Sequence, residues 1–186
     1  MRTTRAVFLD RDGVLIEDVH YLSDPDRLKL IAGAAQAVVS LRAAGYKVVV
    51  ASNQSGVARG LLSLTRLGQI HKRLRADLKA GGARLDALYF CPHHPEGAVA
   101  RYRRTCLCRK PGTGMIRQAS RRFKLNLERS FFIGDTTVDL KAAQDAGCQA
   151  ILVRTGKGGK DGSYGARPDA VFDDLPAAAA WILAQG

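Results

Sequence analysis

The stretch Ala6-Val7-Phe8-Leu9-Asp10-Arg11-Asp12-Gly13 decides how the rest of the chain is read. Four apolar residues run directly into two carboxylates and a glycine, so a buried strand ends where acids emerge and the chain can turn sharply away. Similar apolar runs stand at Val48 to Ala51, Ala87 to Phe90, Phe131 to Ile133 and Ala150 to Val153. The gaps between most of them carry helical periodicity. Ala34, Ala37, Val38 and Leu41 mark one helical face, Leu67, Ile70, Leu74 and Leu78 a second, and Ile116, Ala119 and Phe123, after Pro111, a third. A short helix spans Val138 to Ala146 and stops at Gly147, a residue suited to a left-handed cap. Thr155 to Pro168 is rich in Gly and Lys without period and reads as a loop, and Pro176 to Ala184 reads as a closing helix. Strands alternating with helices predict an α/β fold on a parallel sheet.

The 186 residues, 46% of them hydrophobic, suit a single domain over 1–186 with one sizeable core. No run of about 18 apolar residues is present to span a bilayer, and Met1 to Arg5 leads into a strand rather than a signal sequence. The expectation is a soluble, cytoplasmic protein with no membrane partner. Lys and Arg outnumber Asp and Glu by 29 to 17, a formal charge of +12, which points to an anionic partner. Nucleic acid is not the expected one. The basic clusters at Arg101 to Lys110 and Arg117 to Arg129 come without a nucleic-acid-binding motif, and the second interleaves with a helical pattern as a solvated face would. Only about twenty residues separate Asp12 from the first helix, and fewer than twenty separate Phe90 from Arg109, so neither gap holds an inserted cap domain.

In an open parallel sheet, ligands bind beyond the carboxyl ends of the strands. The residues to inspect are therefore Asp10, Ser52, Cys91, and Gly134 with Asp135. A single aspartate after a strand is ordinarily a turn or helix cap. Asp10 and Asp12 together, with Asp135 at another strand end, read as chemistry: one carboxylate attacks while another handles a proton. Three converging carboxylates repel unless a cation sits among them, and hard oxygen donors suit Mg²⁺. Asp139, one helical turn after Asp135, reads as a cap or local pair. Ser52-Asn53-Gln54-Ser55-Gly56 offers hydroxyl, amide and backbone donors to a phosphoryl oxygen, and Lys110 in Arg109-Lys110-Pro111 offers a fixed positive charge.

Three of the four cysteines cluster. Cys91-Pro92-His93-His94-Pro95 and Cys106-Leu107-Cys108 are set so that twelve residues separate His93 from Cys106. Three thiolates and one imidazole make a closed tetrahedral zinc site over a loop at about 91–108. Spacing does not choose between His93 and His94. Cys148, in a small-residue stretch before a strand, reads as a core residue.

Taken in order, Asp10-Arg11-Asp12-Gly13, Ser52, Lys110 and Gly134-Asp135 with Asp139 resemble the haloacid dehalogenase superfamily across most of the chain. The resemblance implies a Rossmann-like parallel sheet with helices on both faces and no cap domain. It implies Asp10 as nucleophile, Asp12 as general acid and base, Ser52 and Lys110 as phosphoryl-stabilising residues, and Mg²⁺ held by Asp10, Asp135 and the Asp12 carbonyl. Within the superfamily, the Cys-Pro-His-His-Pro loop and the segment Ser52 to Gly60 resemble the branch that removes the 7-phosphate of a heptose 1,7-bisphosphate for the inner core of bacterial lipopolysaccharide. That branch implies structural zinc on Cys91, His93, Cys106 and Cys108. It also implies substrate contacts from Asp18, Tyr21 and Arg109, and from Asn53, Gln54 and Ser55.

One departure is Thr136, where members of the branch often carry Lys. Histidinol-phosphate phosphatases share both the catalytic set and the zinc loop and remain an alternative. A noncatalytic zinc-bearing nucleic-acid module is an alternative of another class, and it requires the carboxylates and Lys110 to be incidental. The compact loops are compatible with a monomer acting on a small sugar bisphosphate.

Overall fold

The computed structural model describes residues 4–185, so the reading of Met1 to Arg5 falls mostly outside them. Six strands form one sheet: β1 (Ala6–Leu9), β2 (Lys47–Asn53), β3 (Ala87–Cys91), β4 (Phe131–Gly134), β5 (Gln149–Val153) and β6 (Ala170–Phe172). Five helices connect or follow them: α1 (Ala34–Ala43), α2 (Leu64–Ala80), α3 (Gly114–Phe123), α4 (Thr137–Ala146) and α5 (Leu175–Ala184). The spatial order is β3-β2-β1-β4-β5-β6, and every pairing is parallel. The α/β architecture expected from the alternation is the one observed.

The central strands β2, β1, β4 and β5 are buried on both faces, which is why they read as continuous apolar runs. Side chains of β1 alternate between two cores. Val7 and Leu9 join Val48, Val50, Phe131 and Ile133 beneath α1, α2 and α5, while Ala6 and Phe8 join Val49, Ala51 and Phe132 beneath α3 and α4. Cys148 packs in the second of these cores, as its surroundings predict. Among the described residues, no helix is long and apolar enough to cross a membrane.

Local chemistry sets the helix ends. Ser63 accepts a hydrogen bond from the Arg66 N–H to start α2, Asp174 accepts from Ala177 N–H to start α5, and Gly147, at φ 85°, closes α4 as a left-handed cap. The strand β6 has no counterpart in the sequence reading. It is three residues long and only half-buried at the sheet edge, so it lacks the apolar run that marks the other five.

Strand order reverses between β1 and β4, since β1 connects outward to β2 on one side and β4 outward to β5 on the other. The crevice at such a switch point, outside the strand carboxyl ends, is where an open α/β sheet receives a ligand. Asp10 follows β1 there and Asp135 follows β4.

Candidate active site

Oxygens of Asp10, Asp135 and Asp139 lie within 4.8 Å of one another at this switch point. Asp10 and Asp135 are delivered by adjacent strands, and Asp139 by the first turn of α4. A capping box holds that turn: Thr136 Oγ1 accepts from the Asp139 N–H, while Asp139 Oδ2 accepts from Thr136 N–H at 3.2 Å and from its hydroxyl at 2.6 Å. The hydroxyl at position 136 therefore does a structural job that a lysine would not. Gly134 is what lets the turn close, because a Cβ there would meet the Asp139 Cβ at 2.2 Å.

Lys110 enters the same cluster almost fully buried, its Nζ 3.0 Å from Asp10 Oδ1 and 2.6 Å from Asp139 Oδ1. Asn53 fixes the starting point of that side chain by using its amide twice. Its Oδ1 accepts from Lys110 N–H at 2.9 Å and its Nδ2 donates to Lys110 C=O at 3.0 Å. Burial opposes charge on Lys110, but Asp10 and Asp139 outweigh it and raise its pKa, so the ammonium persists.

One ammonium does not neutralise three carboxylates. Burial, then the charges of Asp139 and Asp12, push Asp10 up to about 6 against the pull of Lys110. Burial, then Asp10 and Asp139, push Asp135 up to about 8. These raised values mark a site short of positive charge. A hard divalent cation of the Mg²⁺ kind fits that deficit and the all-oxygen donor set. Backbone packs closely around Asp135, leaving room for no side chain: a Cβ on Gly13 or Gly156 would lie 2.5 Å or 2.3 Å from its Oδ2, which Lys157 N–H also meets at 2.7 Å.

The cluster opens into a cavity of about 300 Å³. Of the residues singled out in the sequence, Asp10, Asp12, Asp18, Tyr21, Asn53, Gln54, Ser55, Arg109, Lys110 and Asp135 all line it. Ser52 does not. It is buried, and its hydroxyl accepts from Gln54 Nε2 at 2.8 Å. Gln54 also donates to Asp12 Oδ2 at 2.9 Å, so the amides of Asn53 and Gln54 are committed to protein groups.

Residues given a lesser role or none in the sequence also shape this cavity. Asp139, read there as a cap or local pair, caps α4 and also meets Lys110 and the carboxylate cluster. Its spacing of one turn after Asp135 was the available signal. Arg59 and Lys157 add positive charge to the cavity wall. The loop bearing Lys157 is tied to α4 by Asp161, which accepts from Thr137 N–H and Oγ1–H, both at 2.7 Å. Nothing local in sequence announces that tie.

On the rim, Cys91, His93, Cys106 and Cys108 form the second cluster of potential metal ligands among the described residues. Their sulfurs are 3.1–3.4 Å apart, and His93 Nδ1 is 3.6 Å from Cys91 Sγ and 3.5 Å from Cys108 Sγ. Four such donors suit zinc. His94, the other candidate, instead faces Arg59. Burial and the neighbouring sulfurs hold the Cys91 and Cys108 thiols above their ordinary pKa, the opposite of what thiolates need, and a cation would reverse it.

Residues 107–178 match the HAD-hydrolase-like family. Over 185 residues the chain is 47% identical to a D-glycero-D-manno-heptose-1,7-bisphosphate 7-phosphatase of Thermosynechococcus vestitus, covering 95% of this chain and 94% of that one. The chain belongs to the HAD-like phosphatases. Another member of this family, the D,D-heptose 1,7-bisphosphate phosphatase of Bordetella bronchiseptica, has been crystallised with magnesium and phosphate. It superposes with a TM-score of 0.87 at 38% identity, covering 98% of this chain and all of that one. A third HAD-like relative, the Burkholderia thailandensis D,D-heptose 1,7-bisphosphate phosphatase, gives a TM-score of 0.72 at 32% identity, with coverage of 97% and 99%.

The crowding at Asp135 has a measurable consequence. Its carboxyl titrates near 8 in the fold against an ordinary 3.8, so the folded chain keeps a proton that the unfolded chain has already lost. Stability from this group therefore falls as pH rises toward 8. Burial lowers the pKa values of His71, His93 and His94 in the fold, but that contribution is common to wild type and variant and cancels in the comparison. Without divalent cations, the Tm of the wild type should drop between pH 6.5 and 8 more steeply than that of Asp135→Asn. Equal slopes in the two proteins would contradict the charge deficit.

Proposed function

We propose that the protein is a Mg²⁺-dependent phosphatase that removes the 7-phosphate of D-glycero-D-manno-heptose 1,7-bisphosphate through an aspartyl-phosphate on Asp10. The observation that carries the reading is the grouping of Asp10, Asp135 and Asp139 around Lys110 at the β1/β4 switch point. The substrate comes from the relatives, whose names specify this bisphosphate and, for the Thermosynechococcus vestitus enzyme, this position.

In this reading an Asp10 oxygen attacks phosphorus, and the bond from phosphorus to the sugar oxygen breaks. Asp12 protonates the departing alkoxide and afterwards takes a proton from the water that releases phosphate and restores Asp10. Mg²⁺, held by Asp10, Asp135 and the Asp12 carbonyl with Asp139 beside them, would neutralise charge on the transferring phosphoryl group. Lys110 meets the same group. Ser52 acts from beneath the cavity, by orienting Gln54. Since Asp10 and Asp139 already occupy Lys110, a second phosphate needs other cations, and Arg59, Arg109 and Lys157 on the cavity wall supply them. Asp18 and Tyr21 sit where a sugar would lie. Asp18 Oδ1 accepts from His20 N–H at 3.0 Å, and His20 and Tyr21 are both left-handed, at φ 50° and 61°. We place the enzyme in the cytoplasm as a monomer, in the supply of heptose for lipopolysaccharide.

Zinc on Cys91, His93, Cys106 and Cys108 is structural in this reading, since four protein ligands leave no open position. Cys108 directly precedes Arg109 and Lys110, and Arg109 Nη1 donates to the His93 C=O at 3.3 Å, so the metal anchors both cations. With metal on Nδ1, the His93 ring proton would sit on Nε2. Arg104, now 2.7 Å from that nitrogen, would then turn aside.

Phosphate release should be fastest from the heptose 1,7-bisphosphate and slower from histidinol phosphate and hexose bisphosphates, and Asp10→Asn should abolish it while leaving the fold intact. Preference for histidinol phosphate, or turnover by Asp10→Asn, would refute the reading. Cys108→Ser should lose zinc and lower kcat/KM by as much as about 10²-fold, the scale of an ångström-sized misplacement, with Mg²⁺ affinity little changed. Normal kinetics after proven zinc loss would show that the loop does not position Arg109 and Lys110.

A further inference from the structure

Arg11 lies between the two motif aspartates in the cavity wall and is the largest side chain among the described residues that the fold buries completely, at 1% exposure. A buried guanidinium persists only if its donors are matched. Two of them grip Asp12 as a fork: Nη2 donates to Oδ1 at 2.8 Å and Nε to Oδ2 at 3.1 Å. The remaining arm, Nη1, meets His71 Nε2 at 3.4 Å, sixty residues away on α2. Arginine only donates, so that nitrogen of His71 is the acceptor and the ring is neutral. Burial, then the Arg11 charge, hold the His71 pKa down to about 4, in keeping with that state. The ring is itself packed against Phe90, centroids 5.2 Å apart.

The consequence falls on Asp12. Its side chain is 25% exposed to the cavity, and its two oxygens receive three donors, the Arg11 pair and Gln54 Nε2. In all three contacts the Asp12 carboxylate is the acceptor. That is the form needed to take a proton from water, whereas protonating an alkoxide requires the group to carry a proton of its own.

We propose that His71, acting through Arg11, is a positioning residue that holds Asp12 in its proton-accepting geometry for the hydrolytic half of the reaction. In that half, water oxygen attacks the phosphorus of the Asp10 acyl phosphate and its proton passes to an Asp12 oxygen. The bond between phosphorus and the Asp10 oxygen breaks, the electron pair returns to the Asp10 carboxylate, and inorganic phosphate leaves. The inference rests on the assignment of Asp10 and Asp12 above.

The test separates the two halves. His71→Leu removes the acceptor at similar volume, and His71→Gln returns an acceptor oxygen at comparable reach. With ³²P-labelled heptose 1,7-bisphosphate and Mg²⁺, rapid acid quench measures label on the enzyme, and steady-state kinetics supply kcat and kcat/KM. Because kcat/KM covers only steps through departure of the sugar, His71→Leu should change it less than about threefold while kcat falls about tenfold or more. KM should fall with kcat, phosphoenzyme should accumulate in the steady state, and His71→Gln should recover most of the loss. If His71→Leu does not fold, His71→Ala is read in the same way. Parallel loss of kcat and kcat/KM, no accumulation of phosphoenzyme, or failure of glutamine to rescue would overturn the proposal. A wild-type enzyme that releases phosphate but never carries label on Asp10 would instead refute the catalytic reading itself.

Discussion

Repulsion among Asp10, Asp135 and Asp139 is the constraint around which the rest of this fold is arranged. Carboxylates delivered by β1, β4 and α4 to one crevice are unfavourable together, and burial first, then this repulsion, raises the pKa values of Asp10 and Asp135. Lys110 offsets only part of it. The unmet part is what a divalent cation would fill, and that cation together with the Lys110 ammonium would then offer positive charge to an anionic phosphoryl group.

Much of the surrounding structure serves to hold that arrangement against its own repulsion. Gly134 lets α4 start close enough for Asp139 to reach Lys110, and the Thr136 capping box keeps it there. Gly13 and Gly156 bring backbone against Asp135, and Lys157 N–H stabilises its carboxylate. Asn53 grips the main chain of Lys110 from β2, and the cysteine-rich loop holds the neighbouring residue Arg109. Apart from Gly134 and the capping box, which act within the first turn of α4, these contacts join residues far apart in sequence, so the site is a property of the assembled sheet rather than of any one motif.

That distinction explains what was legible in the sequence. Five strands were, because burial in the two cores writes them as apolar runs. Asp10, Asp12 and Asp135 were, because they stand where those runs stop, and the cysteine loop was, because three cysteines and a histidine at that spacing suit a metal. The short edge strand β6 lacks the burial that leaves such a mark. Asn53 and Gln54 were visible as polar residues after a strand, but their direction was not, and both amides turn to protein groups. Arg11 and His71 meet across sixty residues with no pattern linking them, and the Asp161–Thr137 tie spans twenty-four. Side-chain pairing across distant elements leaves no period in the sequence.

The central claim is that the carboxylate cluster is built short of positive charge and is completed by a hard cation. Calorimetric titration of the metal-free cluster with Mg²⁺ at pH 7, in buffers of differing ionisation enthalpy, tests it directly. Asp135, titrating near 8, is mostly protonated before the cation arrives and must ionise to bind it. Binding should therefore release protons to the buffer, and Asp135→Asn should lose most of that release along with much of the affinity. Mg²⁺ binding without proton release, or no binding at all in the folded protein, would contradict the account.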